Sequence, residues 1–343
     1  REIELIEEVA RLNGFEKIKI TTPRARISPV RFTQKQSASR RVKDILNHVG
    51  FSETLTYSFV GAPIARQFQS AFSSISNDEI LLSNPISTNM SVMRPSLLPG
   101  LIHSTIKNFS KGHKRVKIFE FGNVFLRDKQ GKVVEKAAFA ALIAGTYENN
   151  VWKPTGKSYD YFDLKGILDS IIDQMKLKIT EQPESRRPFM LKGKSVDLIE
   201  NKQVCGYFGE LSPSIIRQHE LPRHCIILEL DFDSLVCGLP KPNRFASLPR
   251  YPETYRDISI VIDTFVPSAE VSDRIIQAGM PLLRKVELYD HFGGKNIQEG
   301  KKSLTYALTF QSAEKTLVDE EVNPVFEKIV KTLFNQFGAT LRE

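Results

Sequence analysis

Lys285–Phe310, KVELYDHFGGKNIQEGKKSLTYALTF, reads as two strands joined by a loop with Gly, Asn and Lys at its bend. The first strand does not end as a core strand would. It closes on Tyr289, Asp290, His291 and Phe292, a polar and aromatic cluster where an alternating pattern would simply stop. Working outward, Arg256–Ile262 (RDISIVI) is a further strand, and Ser268–Gly279 (SAEVSDRIIQAG) is a helix with Pro267 and Ser268 suited to its start. A second helix runs from about Asp319 to Phe334. Its opening DEE run complements the helix dipole, and ATLRE forms a last strand. The order βαββαβ is that of a ferredoxin-like domain, placed at residues 255–343.

Upstream, PKPNRFASLPRYPET holds four prolines in fifteen residues and marks a linker at 239–254. Residues 34–238 read as one mixed sheet flanked by helices, so the chain as a whole is α+β. A helix from Gln34 to His48 buries Ala38, Val42, Ile45, Leu46 and Val49, with Arg40, Arg41 and Lys43 on its wet face. Glu53–Val60 reads as a strand, and a helix starts between Pro95 and Pro99. Val116–Leu126 and Lys136–Tyr147 form a strand pair, Asp160–Met175 an amphipathic helix, and Gln203–Pro213 and Cys225–Leu235 two strands with a helix between them. Residues 21–33, with two prolines, are an extended linker. Residues 2–13 are a helix ended by Gly14, with Ile3, Ile6, Val9 and Ala10 on one face.

The 48 Lys and Arg against 40 Asp and Glu give a net charge of +8, which invites a polyanionic partner. The excess lies in the first two-thirds, for example in KNFSKGHKRVK (Lys107–Lys117); a solvated loop is the plain reading of that run. From Leu248 onward 12 basic residues face 14 acidic ones. Three cysteines without metal-ligand spacing fit a reducing, cytoplasmic setting. No nucleotide-binding glycine loop, nucleophile elbow or zinc-protease motif is present, and the six histidines are scattered.

Two clusters carry candidate chemistry. Glu4, Glu7 and Glu8 share one helix face. They either face water at the start of the helix or hold a hard cation such as Mg²⁺. At the far end, Phe292 suits a stacking platform for an RNA base, Asp290 an acceptor from a base amino group, and Ser303 a polar contact on the next strand. Lys295, Lys301 and Lys302 suit phosphates. The alternative is structural, with Phe292 packed under the loop and Asp290 capping the turn.

SNPISTNMSVMRPSLLPGLIHSTIKNFSKG (Ser83–Gly112), VKIFEFGNVF, DLKG, GYFGELSP, RYPETYRDISIVID, the ribbon from Val286 to Gln311 and KTLVDEEVN together resemble the C-terminal half of the β subunit of bacterial phenylalanyl-tRNA synthetases. The resemblance covers the whole chain. It implies that residues 1–20 are the tail of a preceding domain, 34–238 a catalytically inactive class II synthetase-like core, and 255–343 a ferredoxin-fold anticodon-binding domain. It also implies a tRNA(Phe) ligand, a catalytic α subunit that binds ATP, and an α₂β₂ assembly. Glu120, in the strand resembling the catalytic motif of class II enzymes, stands where a cation would be needed to hold a nucleotide phosphate. By the same resemblance Phe292, Asp290 and Ser303 meet the first anticodon base, with Phe292 replacing the commoner tyrosine. Glu4, Glu7 and Glu8 become ligands of a magnesium ion near the subunit interface, the first ligand falling before Arg1. A free-standing RNA-binding or scaffold protein on the same two folds is the alternative.

Overall fold

The computed structural model describes residues 1–22, 24–25, 29, 31–68, 79–147, 157–183, 185, 187–239, 249–294 and 297–342. The chain divides into two compact units, Arg1–Pro242 and Asn243–Glu343.

The first unit opens with α1 (Glu2–Asn13). Its apolar spacing makes a helix, yet none of its residues is buried. Helix α2 (Gln34–His48) starts at a reciprocal cap: the Gln36 N–H donates to the Thr33 hydroxyl, and the Thr33 N–H donates to the Gln36 side chain. It buries Ala38, Val42, Ile45 and Leu46 as the spacing predicts. Val49 departs from expectation and is 41% exposed. The helix ends at His48, so the periodicity no longer governs that position.

The expected strand Glu53–Val60 is two short ones, β1 (Ser52–Glu53) and β2 (Phe59–Val60). The chain leaves the sheet between them because Thr56 turns inward. Its hydroxyl and N–H donate to the Glu120 carboxylate, and Arg94 Nη1 donates to its carbonyl. After α3 (Ala62–Gln67), β2 pairs with β3 (Val92–Met93) in a small separate sheet.

The elements that follow are α4 (Leu98–Ser110), β4 (Arg115–Arg127), β5 (Val133–Gly145), α5 (Tyr161–Met175), β6 (Ile179–Pro183), β7 (Met190–Glu200), β8 (Gln203–Leu211), α6 (Pro213–Gln218), β9 (Cys225–Asp231) and α7 (Phe232–Gly238). The expected strand Cys225–Leu235 turns helical after Asp231, whose carboxylate accepts from the Ser234 N–H at 3.1 Å and caps α7. The main sheet has the order β1-β4-β5-β9-β8-β7-β6, antiparallel except for β1 beside β4.

Strand β5 shows why its sequence is almost continuously apolar. Phe139, Ala141 and Ile143 face a core built with α2 and α5, while Ala138, Ala140, Leu142 and Ala144 face a second core built with α4. A strand covered on both faces has no wet side to alternate with. The small side chains on the second face suit close packing by Leu98, Leu101 and Ile102 of α4.

Two buried carboxylates fix the segment before α4. Glu229 of β9 accepts from the Ser96 hydroxyl, from the Leu97 N–H at 2.7 Å and from the Tyr207 hydroxyl. Burial pushes the Glu229 carboxyl above its ordinary range, and these donors offset part of that shift. Glu120 of β4 accepts from Arg94 Nη1 at 2.7 Å, with both side chains almost fully buried. Cys205 and Cys225 are buried and Cys237 is exposed. Among the described residues, no helix is long and apolar enough to cross a membrane.

The second unit has the order β10 (Thr254–Asp263), α8 (Ser268–Gly279), β11 (Leu283–Phe292), β12 (Lys301–Phe310), α9 (Asp319–Phe337) and β13 (Thr340–Leu341). This is the expected ferredoxin-like βαββαβ succession. Its sheet runs β11-β12-β10-β13. Ile258, Ile260 and Ile262 of β10 and Leu304, Tyr306, Leu308 and Phe310 of β12 pack against Val271 and Ile275 of α8 and Val322, Ile329 and Leu333 of α9. The intervening residues, Asp257, Ser259, Ser303, Thr305 and Thr309 among them, therefore point to the other face.

Register decides which way the end of β11 points. Leu288 lies opposite Tyr306, which faces the helices, but Asp290 lies opposite Thr305 and Phe292 opposite Ser303. Tyr289 is an extra residue, a bulge. In an unbroken ladder Phe292 would share the face of Leu288 and turn toward the helices. With the bulge, Asp290 and Phe292 turn to the open face.

Two outcomes follow from these arrangements. Glu120→Ala strands a buried guanidinium and is expected to lower unfolding stability by about 3–5 kcal/mol, read by denaturant melts of the first unit's signal. Deleting Tyr289 should regularise the β11 ladder without changing its pairing. Cross-strand NOEs should join Phe292 to Ser303 in both the parent and the deletion protein; pairing of Phe292 with Lys302 in either would show that the bulge does not set the face.

Candidate nucleic-acid interface

From Glu287 to Phe292 every residue of β11 is exposed. Hence the oddly polar end of the quoted ribbon: this edge of the sheet serves no core. The Phe292 ring is 39% exposed. Two groups hold it. One is Gly294, where an added Cβ would stand 2.9 Å from the ring's Cζ, so the close approach of the loop requires glycine. The other is Arg342, whose Cζ stands 5.3 Å from the ring centroid.

Arg342 follows β13, on the far side of the sheet. Its N–H donates to the Ser259 carbonyl at 2.9 Å. Its Nη1 donates to Ser303 Oγ at 3.4 Å. Ser303 is directly opposite Phe292 and only 1% exposed, lying beneath this guanidinium. Beside it the Thr305 and Ser259 hydroxyls share a hydrogen bond of 3.0 Å. Asp290 is exposed, two residues before the ring on the same face. Tyr289 is 59% exposed, and partial desolvation together with the Asp257 and Asp290 carboxylates holds its hydroxyl above the ordinary range.

The structure thus brings Phe292, Asp290 and Ser303 together on one face. Lys301 lies on the Ser303 side of the sheet by alternation, whereas Lys302, opposite Ile262, has the phase of the helix-covered side. Burial lowers the Lys302 pKa. Lys295 lies outside the described residues. Arg342 and Gly294 are additions that the sequence reading did not make, and Tyr289, noted there in the polar cluster, was given no role. Arg342 sits in the short tail ATLRE, and no local pattern reveals that its side chain reaches back over the sheet. A ring, a guanidinium plane, a carboxylate acceptor and hydroxyls on one face are the groups that stack on and hydrogen-bond to an unpaired base.

Glu4, Glu7 and Glu8 lie on α1, all exposed. Glu8 pairs with Arg11 at 2.6 Å. Among the described residues no three His, Cys, Asp or Glu side chains come together in a group that could hold a metal ion.

Residues 18–232 match the family model described as the phenylalanyl-tRNA synthetase β-chain CLM domain, and residues 249–342 match the ferredoxin-fold anticodon-binding domain. The phenylalanine–tRNA ligase β subunits of Syntrophotalea carbinolica and Moorella thermoacetica are 32% and 33% identical to this chain, covering 100% of it and 43% of their own length. That of Bacillus subtilis is 31% identical, covering 99% of this chain and 42% of its own. The chain therefore spans less than half the length of the curated relatives it matches. Among solved structures, a pyrrolysyl-tRNA synthetase of Desulfitobacterium hafniense overlays 58% of this chain and 64% of its own at 14% identity and a TM-score of 0.43, too loose a likeness to bear on the fold. With one family model spanning most of the first unit, the anticodon-binding model spanning the second, and relatives alike along the whole sequence, the chain belongs to the phenylalanyl-tRNA synthetase β-chain family.

Proposed function

We propose that this chain is the part of a phenylalanine–tRNA ligase β subunit that contacts the anticodon of tRNA(Phe) and packs against a catalytic α subunit. The observation that carries it is the bulged end of β11, which turns Phe292 and Asp290 to the open face of a ferredoxin-like sheet. An aromatic ring there stacks on a base, and Asp290 accepts from a base amino group. Arg342 either shares the stack or swings aside to uncover Ser303. The slightly acidic balance of this region is no obstacle, since stacking needs no strong positive field.

Two features of the first unit support a non-catalytic, partner-binding role in a class II assembly. The guanidinium nearest Glu120 is that of Arg94, which is 4% exposed and neutralised by that carboxylate, so it is not offered to a nucleotide phosphate. Beside α2 lies an open cleft of about 390 Å³, lined by Phe121 and Phe232, by Phe32 just before α2, and by Lys35, Arg40 and Lys43 of α2. Lys35 and Lys43 already pair with Asp233 and Glu53 and Arg40 lies over the Phe32 ring, so what the cleft offers a protein segment is chiefly aromatic and apolar surface. In this reading ATP is bound by the α subunit, Mg²⁺ is a cofactor of the assembled enzyme, the assembly is an α₂β₂ heterotetramer and its setting is the cytoplasm.

Phe292→Ala is expected to weaken binding of a tRNA(Phe) anticodon hairpin by about 1–3 kcal/mol, measured by fluorescence anisotropy, while Phe292→Tyr keeps the ring and the affinity. Equal binding by the parent and the alanine variant would remove the stacking role. Co-elution with the α subunit and restored aminoacylation are expected of the β subunit. Their absence would leave a free-standing RNA-binding protein.

A further inference from the structure

The basic run Lys107–Lys117 has no part in the anticodon end, yet the fold gives it a definite setting. Residues 80–119 contain no Asp or Glu, and Lys107, Lys111, Lys114, Arg115 and Lys117 fall within the last thirteen of them. The turn after α4 forms one wall of an open cleft of about 410 Å³. Its polar lining is His113, Lys114, Thr146, Ser158, Arg223 and His224, from four places in the sequence. The cleft is built rather than incidental. Gly145, at a φ of +99°, lets the end of β5 close on this turn, since a Cβ there would lie 2.1 Å from the Lys114 carbonyl oxygen. His224 is held by Glu210, Nδ1 to Oε1 at 2.5 Å, while Lys194 bonds the other oxygen of that carboxylate at 3.0 Å.

Cations near a helix C-terminus can serve its dipole alone. That account covers Lys107 and Lys111. It does not cover Arg223, which reaches the same cleft from the turn before β9. Lys114 and Arg223 are both exposed, and neither has a carboxylate partner among the described residues. Two cations, two imidazoles and two hydroxyls around one hollow make a set of donors for phosphate oxygens. The lining holds no Tyr or Trp, and its Phe109 is half-buried, so phosphate oxygens rather than base faces suit its donors.

We infer that this cleft binds backbone phosphates of structured RNA, as a sequence-independent contact additional to the anticodon end. The inference deepens the tRNA-binding reading and rests on it for the identity of the RNA. Such a contact should be read in salt dependence, each lost phosphate contact lowering the slope of log K against log salt by about 0.9 for a duplex.

The test uses the β subunit carrying Lys114→Ala and Arg223→Ala, titrated with a whole tRNA(Phe) transcript and with the isolated anticodon hairpin at several salt concentrations. The expected result is about tenfold weaker binding of the whole transcript with a slope reduced by about two, and unchanged binding of the hairpin. Lys114→Arg with Arg223→Lys should restore most of the loss, which a folding defect would not allow. A non-cognate tRNA should lose affinity equally. Phe292→Ala, run in parallel, weakens the hairpin as well, so failure of the anticodon reading is visible separately. Whole-transcript affinity and slope unchanged in the double variant would overturn the inference; if co-elution with the α subunit were lost at the same time, the cleft would be a protein contact instead.

Discussion

In a ladder whose side-chain period is two, one additional residue exchanges the faces of everything after it. Tyr289 is that residue in β11. Before it, Val286 and Leu288 lie opposite Leu308 and Tyr306 and follow the helix-covered face; after it, Asp290 and Phe292 lie opposite Thr305 and Ser303 on the open one. The arrangement around the ring depends on this change of phase. Gly294 can lie against the ring, and Arg342 can reach it from the other side of the sheet, only because Phe292 stands where the bulge puts it.

The first unit solves a different problem. Its sheet is covered on both faces, and the carboxylates it retains at Glu120 and Glu229 are satisfied in place, whereas the buried Ser195 hydroxyl of β7 has no hydrogen-bond partner among the described residues. Glu229 gathers the Ser96 hydroxyl, the Leu97 N–H and the Tyr207 hydroxyl where α4 begins. Glu120 gathers Thr56 and Arg94. The chain around Thr56 and the segment from Arg94 to Leu97 are thus tied to β4 and β9. Because α4 is fixed at its start and packed on β5, the turn at its end is delivered to a set position beside Gly145. The same carboxylate that a nucleotide-binding strand could not tolerate near a phosphate is here a structural acceptor.

Much of this was legible in the residues. The βαββαβ order followed from alternating strands and 3.6-period helices, and the buried face of α2 from Ala38, Val42, Ile45 and Leu46. The resemblance in the sequence pointed to Phe292, Asp290 and Ser303, and the register brings them onto one face. What escaped were events that periodicity cannot express. An extra residue at Tyr289 leaves no mark in an exposed, polar strand end. The break at Thr56 depends on Glu120, sixty-four residues away. The strands β6 and β7 mix Glu, Gln, Pro, Lys and Gly with their apolar residues and are recognisable only through the partners they pair with. Arg342 belongs to the same class, since its side chain is defined by Ser303 and Phe292 rather than by its neighbours in sequence.

The outer position of β11 has a cost of its own. Among the described residues, its hydrogen-bonding row away from β12 has no strand beside it in the order β11-β12-β10-β13, which makes it a template on which another chain can add. Lys285, Glu287, Asp290 and His291 are spaced along that row, and the bulge breaks its flatness. Asp290, proposed above to meet a base, therefore also acts with these neighbours as a gatekeeper against self-assembly. Exchanging these polar side chains for apolar ones would uncover a sticky margin, which narrows the substitutions this strand can accept.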